Sequence, residues 1–498
     1  MSPVCTTRSG GAASSQSLVA GHSAGMPSRA EKWVSVSCTT RAANVAMEPC
    51  CHGGRPGGAC DPGRPPSLQP HERGRDGIGT DRRRPTGRRR GSPVRRFDAD
   101  PHRAWDGSSA GPDGAPTAIV SSPDALRRLL FHPGELGVAQ GYITGDLDVE
   151  GDLLDGLRRV WENVREGRRS GRPGLTDVMR GARAAQRLGA FGRPPSPPDS
   201  QARLRGRLHS LRRDRDAIAH HYDLSNKFYE LILDPQMAYS CAYFTSDDPG
   251  YTLEDAQRDK LDLVCRKLGL EAGMRMLDVG CAWGSLSQHA AQHHGVDVVG
   301  VTLSQQQCRF VQSRIDERGL GERVHVRLQD YRDVSDAPFD AISSIEMGEH
   351  VGRRNYASFV SGLRDLLRPE GRLLIQQMSR RSRPGGGPFI EAFIAPDMYM
   401  RPVGETVALI EDGGLEVRDV HALREHYVKT VQAWYRTFED HIDQVVALVG
   451  QEVARVWRLY LVGGALTFEE GRMGVDQILA VRPTKAGLSG MPSVRSFR

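Results

Sequence analysis

No stretch of eighteen or more apolar residues occurs in the chain, so nothing in it is patterned to span a membrane as a helix. The opening MSPVCTTRSGGAASSQSL lacks a basic start followed by an apolar core, which argues against a secretory signal. Cysteine is also uninformative as a framework. Five of the nine lie before residue 61, and Cys241, Cys265, Cys281 and Cys308 show no paired metal-ligand spacing. Reduced thiols in a cytoplasmic protein are therefore expected.

Charge of one sign is scarce outside local segments. Residues 1–91 hold 14 basic against 6 acidic side chains, a balance of +8, which leaves 92–498 at −2 of the total +6. That first tract is rich in Gly, Ser, Pro and Arg, ends in DRRRPTGRRRG and has no sustained periodicity, so disorder is expected across 1–91. It also lacks the interleaved aromatics on which single-strand nucleic-acid binders stack bases. An Arg-rich nucleic-acid-binding protein is thus a competing reading without that support, and no nucleic-acid partner is expected.

What is present begins near residue 92. Residues 92–165 read as a small N-terminal domain, with Pro123 and Asp124 opening a helix and Leu154, Leu157, Val160 and Trp161 recurring at helical spacing. Residues 166–216 form a basic linker. Leu175, Val178, Met179 and Ala182, and then Leu204, Leu208 and Leu211, make apolar stripes among arginines on either side of FGRPPSPPDS. Such amphipathic helices suit an anionic lipid surface, or equally a helix packed on the main domain with a solvated face.

From about 251 strands and helices alternate. MRMLDVG (274–280), VDVVGVTL (296–303), RVHVRLQD (323–330), FDAISSIE (339–346) and GRLLIQQM (371–378) read as strands, joined by stretches such as the helix Asn355–Leu367. LEVRDVHAL and VDQILAVRP follow. This is the pattern of a doubly wound α/β parallel sheet, whose ligand crevice lies outside the carboxyl ends of the strands. SIEMGEHVG (344–352) stands at one such end, with Glu346, Glu349 and His350 in five positions. No further ligand of fitting spacing accompanies the trio, so no metal is expected.

The first strand runs into LDVGCAWGS, carrying Asp278, Gly280 and Gly284. Its G-x-x-x-G after D-V differs from a dinucleotide fingerprint and resembles motif I of S-adenosylmethionine-dependent methyltransferases. The second strand ends in VVGVTLSQQQ, without the acid that commonly binds ribose hydroxyls.

Four stretches together resemble the cyclopropane-fatty-acyl-phospholipid synthase family, which includes the mycolic acid cyclopropane synthases. They are HHYDLSNKFY (220–229), MAYSCAYF (237–244), LDVGCAWGS with GVTLSQQQ, and GEHVG with EHYVKTVQAW (425–434). The resemblance implies a seven-stranded class I methyltransferase (Rossmann-like) domain over 217–482, followed by a tail at 483–498. It implies S-adenosylmethionine as cofactor, with Tyr239 and Ser240 lining it, Gly280 and Gly284 under its methionine part, Asp278 among its binding residues, Thr302 and Gln307 in place of the ribose acid, and Asp330 near the adenine.

It implies further that a one-carbon unit passes to the cis double bond of an unsaturated phospholipid acyl chain at the inner face of the membrane. A bound bicarbonate would take the final proton, held by the backbone of Cys241, by Glu349 and by Tyr427. The family's histidine in this set aligns with Gln376, and its aliphatic residue with Met378. Glu346 replaces a small residue. Tyr222, Tyr239 and Tyr427 would face the developing cation, with Tyr243, Phe244 and Trp283 as further aromatic candidates. Glutamine cannot titrate near neutrality, so cyclopropane and methylene-branched products both stay open. IQQMSR resembles a methylene-forming actinobacterial subgroup. A small-molecule acceptor is the alternative that keeps the cofactor. A reductase partner and a homodimer are left open.

Overall fold

The computed structural model describes residues 102–104, 109–110, 116–167, 189–203, 225–336, 338–382 and 384–494, with Arg183, Gln186 and Arg213 singly. The tract 1–91, the two leucine stripes of the linker and Tyr222 lie outside the described residues.

The N-terminal part contains β1 (His102–Ala104), β2 (Ser109–Ala110), β3 (Thr117–Val120), α1 (Pro123–Phe131), α2 (Glu135–Ile143), β4 (Leu147–Glu150) and α3 (Leu153–Gly167). Ser122 caps α1 by accepting from the Asp124 N–H, and Pro123 occupies the first turn, where its missing N–H costs nothing. The four strands form a sheet in the order β2-β1-β3-β4.

The larger part carries α4 (Asn226–Glu230), α5 (Leu253–Leu268), β5 (Arg275–Val279), α6 (Ser285–His294), β6 (Asp297–Thr302), α7 (Gln305–Glu317), β7 (Val324–Leu328) and β8 (Phe339–Ile345). After them come α8 (Tyr356–Leu366), β9 (Leu367–Ser379), α9 (Val403–Asp412), β10 (Glu416–Ala422), α10 (Arg424–Asp440), α11 (Ile442–Glu469, interrupted at Gly450) and β11 (Gly474–Val481). Strands β5 to β9 coincide with the five apolar runs expected from sequence.

Seven strands form one sheet in the order β10-β11-β9-β8-β5-β6-β7. The five central and β7-side strands are parallel, whereas β11 inserts antiparallel between β9 and β10. The five strands expected to be parallel are so, and the long return through α10 and α11 lets the last strand enter from the opposite end. Apolar side chains of α5, α6 and α7 cover one face, and those of α8 and α9 the other, a three-layer arrangement in which strands buried on both faces need near-continuous apolar runs.

The N-terminal part packs on the same body rather than standing apart, within the single compact unit Gly54–Arg498. Tyr142 and Leu153 meet Val462 and Leu466 of α11. Arg455 stacks over the Tyr142 ring at 4.1 Å and bonds the carbonyls of Tyr142 and Leu147. Among the described residues no helix is long and apolar enough to cross a membrane.

Candidate active site

A crevice opens at the carboxyl ends of β5, β6 and β8. Val279 ends β5 and Gly280 follows it, Val301 and Thr302 end β6, and Ile345 ends β8 with Glu346 and Met347 after it. Tyr239, Gln307, Gln329, Tyr331, Arg332 and His350 complete much of the wall. Glycine is required in its floor. Gly280 has φ +76°, and a Cβ there would approach Met347 Cγ to 2.9 Å. Gly284 has φ +75°, and its Cβ would lie 2.7 Å from Val311 Cγ1.

Of the residues expected at a cofactor, Tyr239, Gly280, Thr302 and Gln307 line this crevice. Thr302 donates to Gln307 Oε1 at 2.7 Å, so a neutral hydroxyl–amide pair stands where an acid is commonly found. Three others sit behind the wall. Ser240 Oγ accepts from the buried Lys260 Nζ at 2.9 Å. Asp278 accepts from Ser287 and Ser343 at 2.7 and 2.8 Å, and burial raises its pKa. Asp330 clamps the guanidinium of Arg332, which itself reaches the crevice. Gly284 lies at the turn into α6. His350 also lines the crevice.

The residues expected around a reacting carbon converge on Glu346. The Cys241 backbone N–H donates to Oε1 at 2.8 Å, Gln376 Nε2 donates to the same oxygen at 2.9 Å, and the Tyr427 hydroxyl donates to Oε2 at 2.5 Å. Gln477 Nε2 donates to Gln376 Oε1 at 2.9 Å, directly across the β9–β11 pair, which turns the Gln376 amide nitrogen toward the carboxylate. Burial raises the Glu346 pKa, and these three donors and the Lys260 charge oppose that rise. The Cys241 thiol faces the Leu423 carbonyl, and burial pushes its pKa well up, so it is not a nucleophile.

Glu349 is placed differently. It is 1 % exposed and is not part of the crevice wall. One oxygen accepts from the Met378 N–H at 2.5 Å, and the other has no partner among the described residues. Burial, then the charge of Glu346, raises its pKa to about 8. Burial thus raises both carboxyls, but only Glu346 is surrounded by three donors suited to an anion, whereas Glu349 has one.

An aromatic cluster backs the crevice. Tyr239 packs against Tyr229, Trp283, Trp434 and Trp457, with ring centroids 5.3 to 6.3 Å apart, and its hydroxyl donates to Tyr460. Trp283 is buried with its N–H on Asn226, so it packs the core. Tyr243 and Phe244 instead contact His426. Sequence reasoning did not single out Trp434, Trp457, Tyr460, Lys260 or Gln477. Apolar runs within helices do not show which aromatic turns inward, and an isolated Gln in a strand looks like any polar residue.

The ligand atoms of Cys265, His289 and His294 lie within 4.8 Å of one another on α5 and α6, with Asp262 beside both histidines. None belongs to SIEMGEHVG or to the crevice wall.

Fold and crevice are those of a class I S-adenosylmethionine-dependent methyltransferase. The family described as mycolic acid cyclopropane synthetase matches residues 209–478, more than half of the chain, and the chain belongs to that family. A Mycobacterium tuberculosis protein named "Probable fatty acid methyltransferase" is 38% identical over 78% of this chain and 92% of its own length. The cyclopropane-fatty-acyl-phospholipid synthase of Escherichia coli K12 is 32% identical over 75% of this chain and 90% of its own. The solved mycolic acid cyclopropane synthase CmaA1, complexed with SAH and CTAB, is 34% identical. It covers 53% of this chain and 97% of its own, with a TM-score of 0.50.

The crevice fits S-adenosylmethionine: side-chain-free glycine at the first turn and a neutral polar pair at the end of β6. Bicarbonate fits poorly. The Cys241 N–H, Gln376 and Tyr427 donors that the resemblance assigns to it are engaged by Glu346, and the Met378 N–H by Glu349.

Proposed function

We propose that this methyltransferase adds a one-carbon unit to the cis double bond of an unsaturated fatty acyl chain carried on phospholipid, giving a cyclopropane or methylene-branched chain. The observation that carries the reading is an aromatic-backed crevice with the Glu346 carboxylate in its wall. S-adenosylmethionine, when bound, supplies the electrophilic methyl carbon. An alkene is a weak nucleophile, and its alkylation leaves a cation on the acyl chain. Tyr239 offers a π face that stabilises positive charge without attacking it, worth about 0.5–2 kcal/mol, and the rings packed behind hold it in place. Thr302, Gln307 and Gly280 bind and orient the cofactor, and the buried walls exclude water that would trap the cation.

The named activities of the similar proteins, fatty acid methylation and phospholipid cyclopropanation, support a lipid acceptor over a small molecule. The apolar residues Leu130, Phe131 and Val138 on α1 and α2, together with Phe191, are exposed, which supports work at the inner membrane surface. A methylene product would be the substrate of a reductase partner.

Expression in a host with oleoyl phospholipids, followed by mass spectrometry of the fatty acids, tests the reading. A gain of one CH2 is expected, and retention of an alkene distinguishes the methylene product from the ring. No mass change from folded protein that binds the cofactor overturns the lipid acceptor.

A further inference from the structure

We propose that the Glu346 carboxylate is the enzyme's own proton acceptor, so that no added anion such as bicarbonate takes part; this rests on the one-carbon transfer proposed above. Of the two acids in SIEMGEHVG, only Glu346 reaches the crevice wall, whereas Glu349 is buried against the Met378 N–H. A base must reach the atom it deprotonates, and of these two acids Glu346 is the one placed in the crevice wall to do so.

Its surroundings are built to hold an anion in one place. Three donors from three separate elements point at its two oxygens, and an ionised carboxylate is the acceptor-only group that can satisfy all of them. Gln376 can present its N–H to Glu346 because Gln477 takes up the other end of the amide. The backbone of Glu346 lies at φ +50°, in the left-handed region that non-glycine residues rarely adopt. Its N–H donates to the Gln376 carbonyl at 2.6 Å, so the same residue fixes backbone and side chain. Strain at a crevice residue, maintained by a dedicated network, is a mark of function rather than of packing.

The step balances without another reactant. Once the methyl carbon is bonded to one alkene carbon, a C–H bond of that methyl breaks. Its electron pair bonds to the neighbouring cationic carbon and closes the three-membered ring; where a hydride first shifts from the methyl-bearing carbon to that neighbour, the pair instead forms the exocyclic double bond. The proton passes to a Glu346 oxygen and is released to water with the product.

Two measurements on the full chain decide the matter. Wild-type turnover on oleoyl-phospholipid vesicles is expected to stay within about twofold when buffers are stripped of carbon dioxide and bicarbonate. Glu346→Gln is expected to lose on the order of 10²-fold or more in kcat while SAH affinity stays within about threefold. A tenfold or greater fall of the wild type on stripping overturns the proposal and needs no variant to fold. Near-normal kcat in Glu346→Gln overturns it as well, while the lipid product from wild type leaves the one-carbon transfer standing. Absence of any lipid product from the wild type instead overturns that transfer, and this proposal with it.

Discussion

The side-chain amide of Gln376 bridges Gln477 and Glu346, accepting from one and donating to the other, each at 2.9 Å. A residue that cannot titrate thereby sets the ionisation of one that can. Replacing it with leucine removes a donor from the ionised carboxylate, a hydrogen bond to charge worth about 1.5–3 kcal/mol. Losing a donor to the charged form raises the Glu346 pKa. In Gln376→Leu the acidic limb of the kcat/KM profile is therefore expected to move to higher pH. KM for S-adenosylmethionine should change little, since Gln376 is not part of the crevice wall. A limb that stays in place shows that Gln376 does not tune the base.

This relationship also marks where the sequence stopped being legible. The five parallel strands and the crevice end of β8 follow from apolar runs and turn residues, because burial on both faces of a sheet forces that pattern. Glu346 was visible only as an extra acid beside Glu349, and the choice between them depended on which side chain turns into the crevice. That direction is set by a positive φ and by donors from Cys241 and Tyr427, 105 and 81 residues away. Contacts so distant in sequence leave no local periodicity. Ser240, Asp278 and Asp330 show the same limit in reverse, since a motif position beside a crevice does not reveal whether the side chain enters it.

Glu349 makes the fold sensitive to alkali. Burial first and the Glu346 charge second hold its proton to about pH 8, from an ordinary value of 4.5, with the Arg401 charge and the Met378 N–H pulling the other way. Between roughly pH 4.5 and 8 the native state carries a proton that the unfolded chain has lost, so unfolding releases it and stability falls as pH rises. The slope is at most about 1.4 kcal/mol per pH unit from this group, and the raised pKa values of Glu346 and Asp278 act in the same direction. Glu349→Gln keeps an oxygen to accept from Met378 and has no charge to bury. Thermal unfolding across pH 5 to 9 is expected to show a flatter profile for the variant, with its midpoint above wild type at the alkaline end. Parallel profiles would mean that Glu349 is already ionised in the folded protein.

Gly284 fixes the turn between β5 and α6 for two separable reasons. Its φ of +75° costs an L-residue roughly 1–2 kcal/mol, and an added Cβ would press on Val311 Cγ1 at 2.7 Å, an overpacking cost of about 1–3 kcal/mol. Gly284→Ala should therefore lower stability by about 2–5 kcal/mol, read from denaturant midpoints at constant m. Because Val279, Gly280 and Ala282 of the same turn line the crevice, SAH affinity measured by calorimetry should fall as well. Adding Val311→Ala removes the clash but not the backbone strain. The double variant is thus expected to recover affinity more fully than stability, since Val311→Ala itself opens a buried space. If the second substitution restores neither, the turn is held by φ alone, and the contact with α7 contributes nothing to the cofactor floor.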